Sequence, residues 1–314
     1  MQKKQTAGIL AAFSSAFFLG LAPVFGKLAI NLGFTPLAVV ALRTSFAAIT
    51  LTIVIFIFYR QYLYIFSVGL IGCLLAGAIN GLGSVLYYLA LERLNASVGQ
   101  LLYSLYPLFV AIWLALDHQT PSRLTFIRIG LAMAAVILLT SLPERSADPV
   151  GVLMMLGAAT LYAMHLPINQ RVLFEAPAPT VALYTLLAMS AIVVPAYLIF
   201  DRALPPSGAS FQPILGLTFV TVFSRLTLFL GVKKIGGMQT ALLGLAELLV
   251  AVIFSSWLLH ENLSALQWIG AIVLGGSLAL ALLETPTPPA HGKTGWLSWI
   301  RAPGLPKDIF GPYE

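Results

Sequence analysis

Long apolar runs separated by short charged loops recur along the whole 314-residue chain. A helix crossing a ~30 Å hydrocarbon core needs about 20 mostly apolar residues. Ten stretches meet that length: 7–30, 36–58, 66–90, 96–116, 124–142, 149–171, 178–200, 212–232, 238–259 and 264–284. The connections carry most of the charge, as in YRQY (59–62), LERLN (91–95), DHQTPSR (117–123) and PERSAD (143–148). None has room for a soluble domain. The pattern predicts an all-α integral membrane protein with ten transmembrane helices.

Composition agrees on the solvent. The chain is 59% hydrophobic and 9% charged, against about 25% charged in a typical soluble domain. Disorder is excluded, since disordered chains are polar and poor in aliphatic residues. The first apolar run follows two lysines, as a signal peptide would. Its only small-x-small site, Gly20-Leu21-Ala22, is followed directly by Pro23, so a retained first helix is expected. Cys73 sits in an apolar run with no partner for an intrachain disulfide.

The net charge of +6 then becomes an orientation signal. Lysine and arginine accumulate on the cytoplasmic side of a membrane. With the N-terminus inside, eleven of them fall in inner segments and four at the outer side. An even number of spans returns the C-terminus to the cytoplasm, and the plasma (inner) membrane is the expected location. No basic cluster is dense enough to suggest nucleic acid.

The two halves of the chain resemble each other. VALRT (40–44) matches VALYT (181–185), and APVFGK (22–27) matches LPINQR (166–171), which aligns Pro23 with Pro167. Gln100, Ser104, Pro107 and Ala111 share one helical face, and Thr240, Gly244, Glu247 and Ala251 have that same spacing. Residues 1–142 read as a first five-helix repeat, 143–148 as a linker and 149–284 as a second repeat. Residues 285–314, rich in Pro and Gly, read as a flexible cytoplasmic tail. Five is odd, so the repeats enter the membrane from opposite sides. Inverted repeats of this kind are characteristic of secondary transporters. A proline within a spanning helix removes a backbone donor and permits a kink, which makes Pro23 and Pro167 candidate gating positions. Proline is also simply common in membrane helices.

At this level the chain resembles the EamA-type ten-helix branch of the drug/metabolite transporter superfamily. The resemblance runs from about residue 7 to 284. It is carried by Arg43 in VALRTSFAA, by LERLNASVGQLLYSLYPLFVAIWLAL (91–116) followed by IGLAMAAVILL, and by the echo LAELLVAVIFSSWLLHENLSALQWIGAIVLGGSLAL (245–280). It implies a carrier with a central cavity lined by helices one, three, four, six, eight and nine. Similar proteins move amino acids, other metabolites, sugars or amphipathic drugs, often outward. Two departures stand out: Glu247-Leu248 replaces a frequent Glu-Pro pair, and Arg225 aligns with Ser84, where a charge is not general in the family.

Arg225 and Glu247 are the sharpest site signal. Each lies about 11 residues from the turn near 236, hence about 16 Å deep at ~1.5 Å per residue. That depth is the midplane, where a lone charge costs at least ~2.5–3.5 kcal/mol on insertion scales. Either they form a structural ion pair, or Arg225 binds a solute carboxylate while Glu247 binds an amine or carries a proton. Asn80 and Ser84 in helix three, Gln100, Tyr103 and Tyr106 in helix four, and Tyr162 and His165 in helix six complete the candidate solute-binding group. His165 reads first as a hydrogen-bonded packing residue, with a proton relay as the other reading. Tyrosines also belt membrane interfaces. Arg43 reads as structural, its stem snorkelling to the outer surface. Gly77 and Gly81 form a GxxxG suited to close helix packing.

Rival classes fare worse. The four histidines are dispersed, and metal ligation needs them clustered. No catalytic or nucleotide-binding motif is present, so neither an enzyme nor a cofactor is expected. No re-entrant segment suggests a channel. The expectation is a secondary carrier of small amphipathic, zwitterionic organic solutes working by alternating access in the lipid bilayer, with protons as a candidate coupling ion. A lipid-head-group flippase and a non-transporting membrane scaffold are the alternatives. GWLSWIR (295–301) is expected to belong to the tail, with an interfacial or partner-binding role as the other readings. Oligomeric state is left open.

Overall fold

The computed structural model describes residues 2–94, 102–118, 122–139, 148–203, 208–259, 265–280 and 295–300. Among them every regular element is helical. In chain order the α-helices are α1 (Gln2–Asn31), α2 (Pro36–Phe58), α3 (Ser67–Arg93), α4 (Tyr106–Leu116), α5 (Arg123–Leu139) and α6 (Pro149–Leu173), with a short 3-10 turn at Arg60–Leu63. There follow α7 (Ala178–Phe200), α8 (Gln212–Ile235), α9 (Gly237–Gly244), α10 (Ala246–Leu259) and α11 (Ala265–Ala279). Among the described residues six helices, α1, α2, α3, α6, α7 and α8, are long and apolar enough to cross a membrane. Their bounds lie within a few residues of the spans expected there.

Local chemistry sets several of these ends. Thr35 caps α2 by accepting from the Ala38 amide at 3.2 Å, with Pro36 opening the helix. Asp148 caps α6 by accepting from the Val150 amide at 3.2 Å, ahead of Pro149. Arg93 also donates to Asp148 at 3.2 Å, and that hydrogen bond first of all holds the exposed carboxyl below its ordinary pKa. Gly236, at φ 85°, makes the sharp turn from α8 into α9 that a side chain would disfavour.

The expected ninth span is not one helix. It breaks at Leu245, between α9 and α10. The expected fourth span shows a matching break: Leu102 and Tyr103 are helical, Ser104 and Leu105 form a turn, and α4 starts at Tyr106. The two breaks share their hydrogen bonding. Leu105 N–H reaches Leu102 O at 3.3 Å and Leu108 N–H reaches Leu105 O at 3.0 Å; Leu245 N–H reaches Leu242 O at 3.3 Å and Leu248 N–H reaches Leu245 O at 3.0 Å. Pro107 accounts for the first break, because it has no N–H for the fourth carbonyl back. The second break frees the Ala241 carbonyl, which accepts instead from the Tyr106 hydroxyl at 2.9 Å. A Cβ at Gly244 would collide with that hydroxyl, so only glycine admits it.

Helix contacts cross between the halves. α1 packs on α8, α9 and α10, α3 on α6 and α7, α2 on α7 and α8, α4 on α6 and α9, and α5 on α11. Exchanging α1–α5 for α6, α7, α8, α9–α10 and α11 turns each of these pairings into another in the same set. Small residues permit the closest approaches. A Cβ at Gly77 would lie 2.5 Å from the Thr185 carbonyl oxygen, and one at Gly81 would lie 2.9 Å from Ile192 Cβ, so the GxxxG seats α3 on α7.

Polarity is distributed inside out. Large apolar side chains such as Ile53, Phe58, Ile199, Phe200 and Leu215 are exposed, whereas Asn80, His165, Asn169, Arg225 and Glu247 are buried. In water such a surface would aggregate; in lipid it is matched to its solvent.

The expected tail is partly anchored. Gly295–Ile300 folds into a turn against the bundle, with Leu297 and Ile300 buried. Trp296 packs beside Trp113, and Ile300 beside Gly72.

Candidate functional site

A cavity of about 90 Å³ lies between the halves, large enough for several waters or the polar part of a small solute. α1 contributes Leu19, Ala22 and Pro23, and α3 contributes Asn80, Ser84, Tyr87 and Tyr88. Val220, Thr221, Ser224 and Arg225 come from α8, with Arg43 from α2, Tyr162 from α6, Met189 from α7, Glu247 from α10 and Tyr103 from beside the first break. The resemblance implied helices one, three, four, six, eight and nine; α2 and α7 contribute as well. The lining occupies the half of the bundle nearest the C-terminal ends of α1 and α3 and the N-terminal ends of α2 and α8. Towards the other end the bundle is packed, with Leu166, Val172, Phe229, Val232 and Ile235 buried.

Arg225 and Glu247 both face this cavity and are buried, yet among the described residues no ion pair joins them. Arg225 has neutral partners instead. Asn80, with its carboxamide oxygen turned to the guanidinium, accepts from Nη1 at 2.9 Å and Nη2 at 2.5 Å. His165 Nε2 accepts from Arg225 Nη1 at 3.3 Å. The opposite ring nitrogen, Nδ1, bonds the Tyr162 carbonyl, which makes Nδ1 the protonated one. This imidazole therefore orients the guanidinium from behind the lining. Glu247 sits in the first turn of α10, where the positive end of the helix dipole favours a carboxylate. Its Oε1 is buried without a hydrogen-bond partner.

Arg43 turns inward. The snorkelling reading is corrected here: its guanidinium lies over the Tyr88 ring, 5.1 Å from the centroid, and its Nε is buried without a partner. The ring face supplies the compensation that a reach to the surface was expected to give. Tyrosines make a continuous wall beside Glu247. Ring centroids are 4.8 Å apart for Tyr87 and Tyr103, 5.4 Å for Tyr103 and Tyr162, and 5.0 Å for Tyr106 and Tyr162.

Among the candidate residues, Arg225, Glu247, Asn80, Ser84, Tyr103 and Tyr162 line the cavity, as do Pro23 and Arg43. Tyr106 and His165 stand directly behind it. Pro167 is buried within α6 away from the lining, and Gln100 lies outside the described residues. Sequence reasoning missed Tyr88, Thr221, Ser224 and Met189 as lining residues. Tyr87, three residues from Ser84 on the Asn80 face of helix three, lines the cavity with them. Thr221 and Ser224 precede Arg225 by four and one. Nothing in the sequence marks Met189.

A bundle of long apolar helices with an apolar exterior and a small, buried, charged cavity between two similarly built halves is the architecture of a polytopic membrane protein. The EamA-like transporter family matches the chain twice, over residues 6–141 and 149–283. The chain belongs to that family, within the drug/metabolite transporter superfamily. No curated protein matches it. A protein of known crystal structure, 15% identical, is similar in fold, with a TM-score of 0.73 over 89% of this chain and 97% of that one.

Proposed function

We propose that this transporter is a secondary carrier of small amphipathic zwitterions, amino acids or related metabolites, working by alternating access between two inverted five-helix repeats. The observation that carries this reading is a pair of oppositely charged side chains, each presenting an unpartnered buried atom beside one cavity: Arg43 Nε and Glu247 Oε1. Buried polar atoms are nearly always satisfied, so two orphans of opposite sign suit a ligand that brings both charges. A solute carboxylate would meet Arg43 and Arg225, taking the position now held by the Asn80 oxygen. A solute ammonium would meet Glu247 between tyrosine faces, which attract cations. The interchange symmetry of the helix contacts and the matched breaks in helices four and nine support the repeat and the ten-span count. Discontinuous helices at the midplane are where such carriers bind their solutes.

The positive-inside bias supports a plasma-membrane protein with both termini cytoplasmic, so the cavity half faces outward. Export is the direction that fits similar proteins, and Glu247 is the residue to carry a coupling proton.

Counterflow of labelled amino acids into liposomes tests the reading. Glu247→Gln and Arg225→Gln each remove one charge and are expected to lower uptake by about 10- to 100-fold, the size of a lost charged hydrogen bond. Wild-type uptake in both variants would remove these residues from the site. Scrambling of lipid head groups with no solute uptake would make the protein a flippase, and neither activity would make it a scaffold.

A further inference from the structure

We infer that Gly295–Ile300 is an intramolecular latch that holds the packed end of the bundle closed. The inference rests on the alternating-access reading, which requires that end to open. Its centre is the buried ion pair between Asp117, which caps α4, and Arg171, in the last turn of α6. Asp117 Oδ2 accepts from Arg171 Nη2 at 2.6 Å and from Nε at 3.1 Å. The pair bridges the first half of the chain to the second. Asp117 Oδ1 accepts from the Leu297 amide at 3.2 Å, so the C-terminal segment holds the other oxygen of the same carboxylate.

The rest of the segment covers this junction. Gly295, at φ 107°, lies against Asp117, and an added Cβ would fall 3.1 Å from Asp117 Cα. The Trp296 indole donates to the Trp113 carbonyl at 3.3 Å, with the two ring centroids 5.8 Å apart. Leu297 is fully buried, and Ile300 reaches Gly72 in α3, beside Val172 of α6. Gly295, Trp296, Leu297 and Ile300 thus pack on the end of α4 and on α3, beside α6, at the seam between the halves. A buried ion pair holds together only while water is excluded and its remaining lone pairs are satisfied, and the segment does both. Its departure would hydrate Asp117 and Arg171 and uncouple α4 from α6.

The test uses a single-cysteine reporter in a Cys73→Ala background. Ala241→Cys is suitable because Ala241 is buried in α9 and is not among the segment's contacts. Its alkylation by N-ethylmaleimide is timed in the full chain, in a chain truncated after Ala290, and in a full chain carrying Trp296→Ala with Leu297→Asp. Both altered chains are expected to react about tenfold faster, the population shift carried by roughly one net hydrogen bond. Unchanged rates in the altered chains, or a lower melting temperature with unchanged rates, would overturn the latch. If the truncated chain fails to fold, the double variant decides alone. The readout needs no solute: faster alkylation without counterflow keeps the latch and sinks the carrier, and the converse keeps the carrier alone.

Discussion

Among the residues that line the cavity, Arg225 is informative for what it lacks. Its guanidinium is satisfied by an amide and an imidazole, both neutral, so its charge is solvated without being cancelled. An arginine held in this way can still attract an anion, which an arginine closed on Glu247 could not. Replacing Asn80 by Asp would close it. Asn80→Asp places a carboxylate where the amide oxygen lies 2.5–2.9 Å from the two guanidinium nitrogens. The expected outcome is a counterflow rate at least ~10-fold below wild type, by the strength of a charge-assisted bidentate pair, with no loss of thermal stability in detergent. Undiminished counterflow would mean that Arg225 never meets the solute.

At the scale of elements, the broken fourth and ninth helices are joined by one hydroxyl. The Tyr106 bond to the Ala241 carbonyl completes the backbone where α9 stops, and so fixes where α10 begins and where Glu247 points. Tyr106→Phe leaves that carbonyl without a donor in an environment with no free water. A loss of about 1–3 kcal/mol is expected, the usual cost of an orphaned buried acceptor, read as a lower melting temperature. Unfolding at the wild-type temperature would show that α9 and α10 rejoin into one helix. In that case the position of Glu247, and with it the counterflow rate, should change instead.

At the scale of the whole molecule, the cavity occupies one half of the bundle and tight packing the other. That asymmetry makes a directional prediction. In the Cys73→Ala background, Ser84→Cys is expected to react with an impermeant thiol reagent added to the outside of right-side-out vesicles, and saturating solute should protect it. Reaction only from the inside would invert the proposed orientation while leaving the cavity itself intact.

The sequence by itself determined the solvent and the elements. Apolar runs of about 20 residues can be stable only as lipid-spanning helices, so the long helices fall where their runs fall. Charge at midplane depth is costly enough to mark Arg225 and Glu247 from the sequence alone, whereas the matched spacing around Ser104 and Gly244 marked a repeat and not the paired breaks. What tertiary structure decided was direction and partnership. One helix face can turn to lipid or to a cavity at similar local cost, so Arg43 facing inward over Tyr88 and Tyr87 joining the lining depended on how α2 and α3 pack on α7 and α8. An Arg225–Glu247 ion pair was one of the two readings because both lie at one depth, but depth along two helices does not set their rotation. Packing turned the guanidinium to Asn80 and His165 instead, and placed a short stretch of the C-terminal tail on a carboxylate almost two hundred residues away.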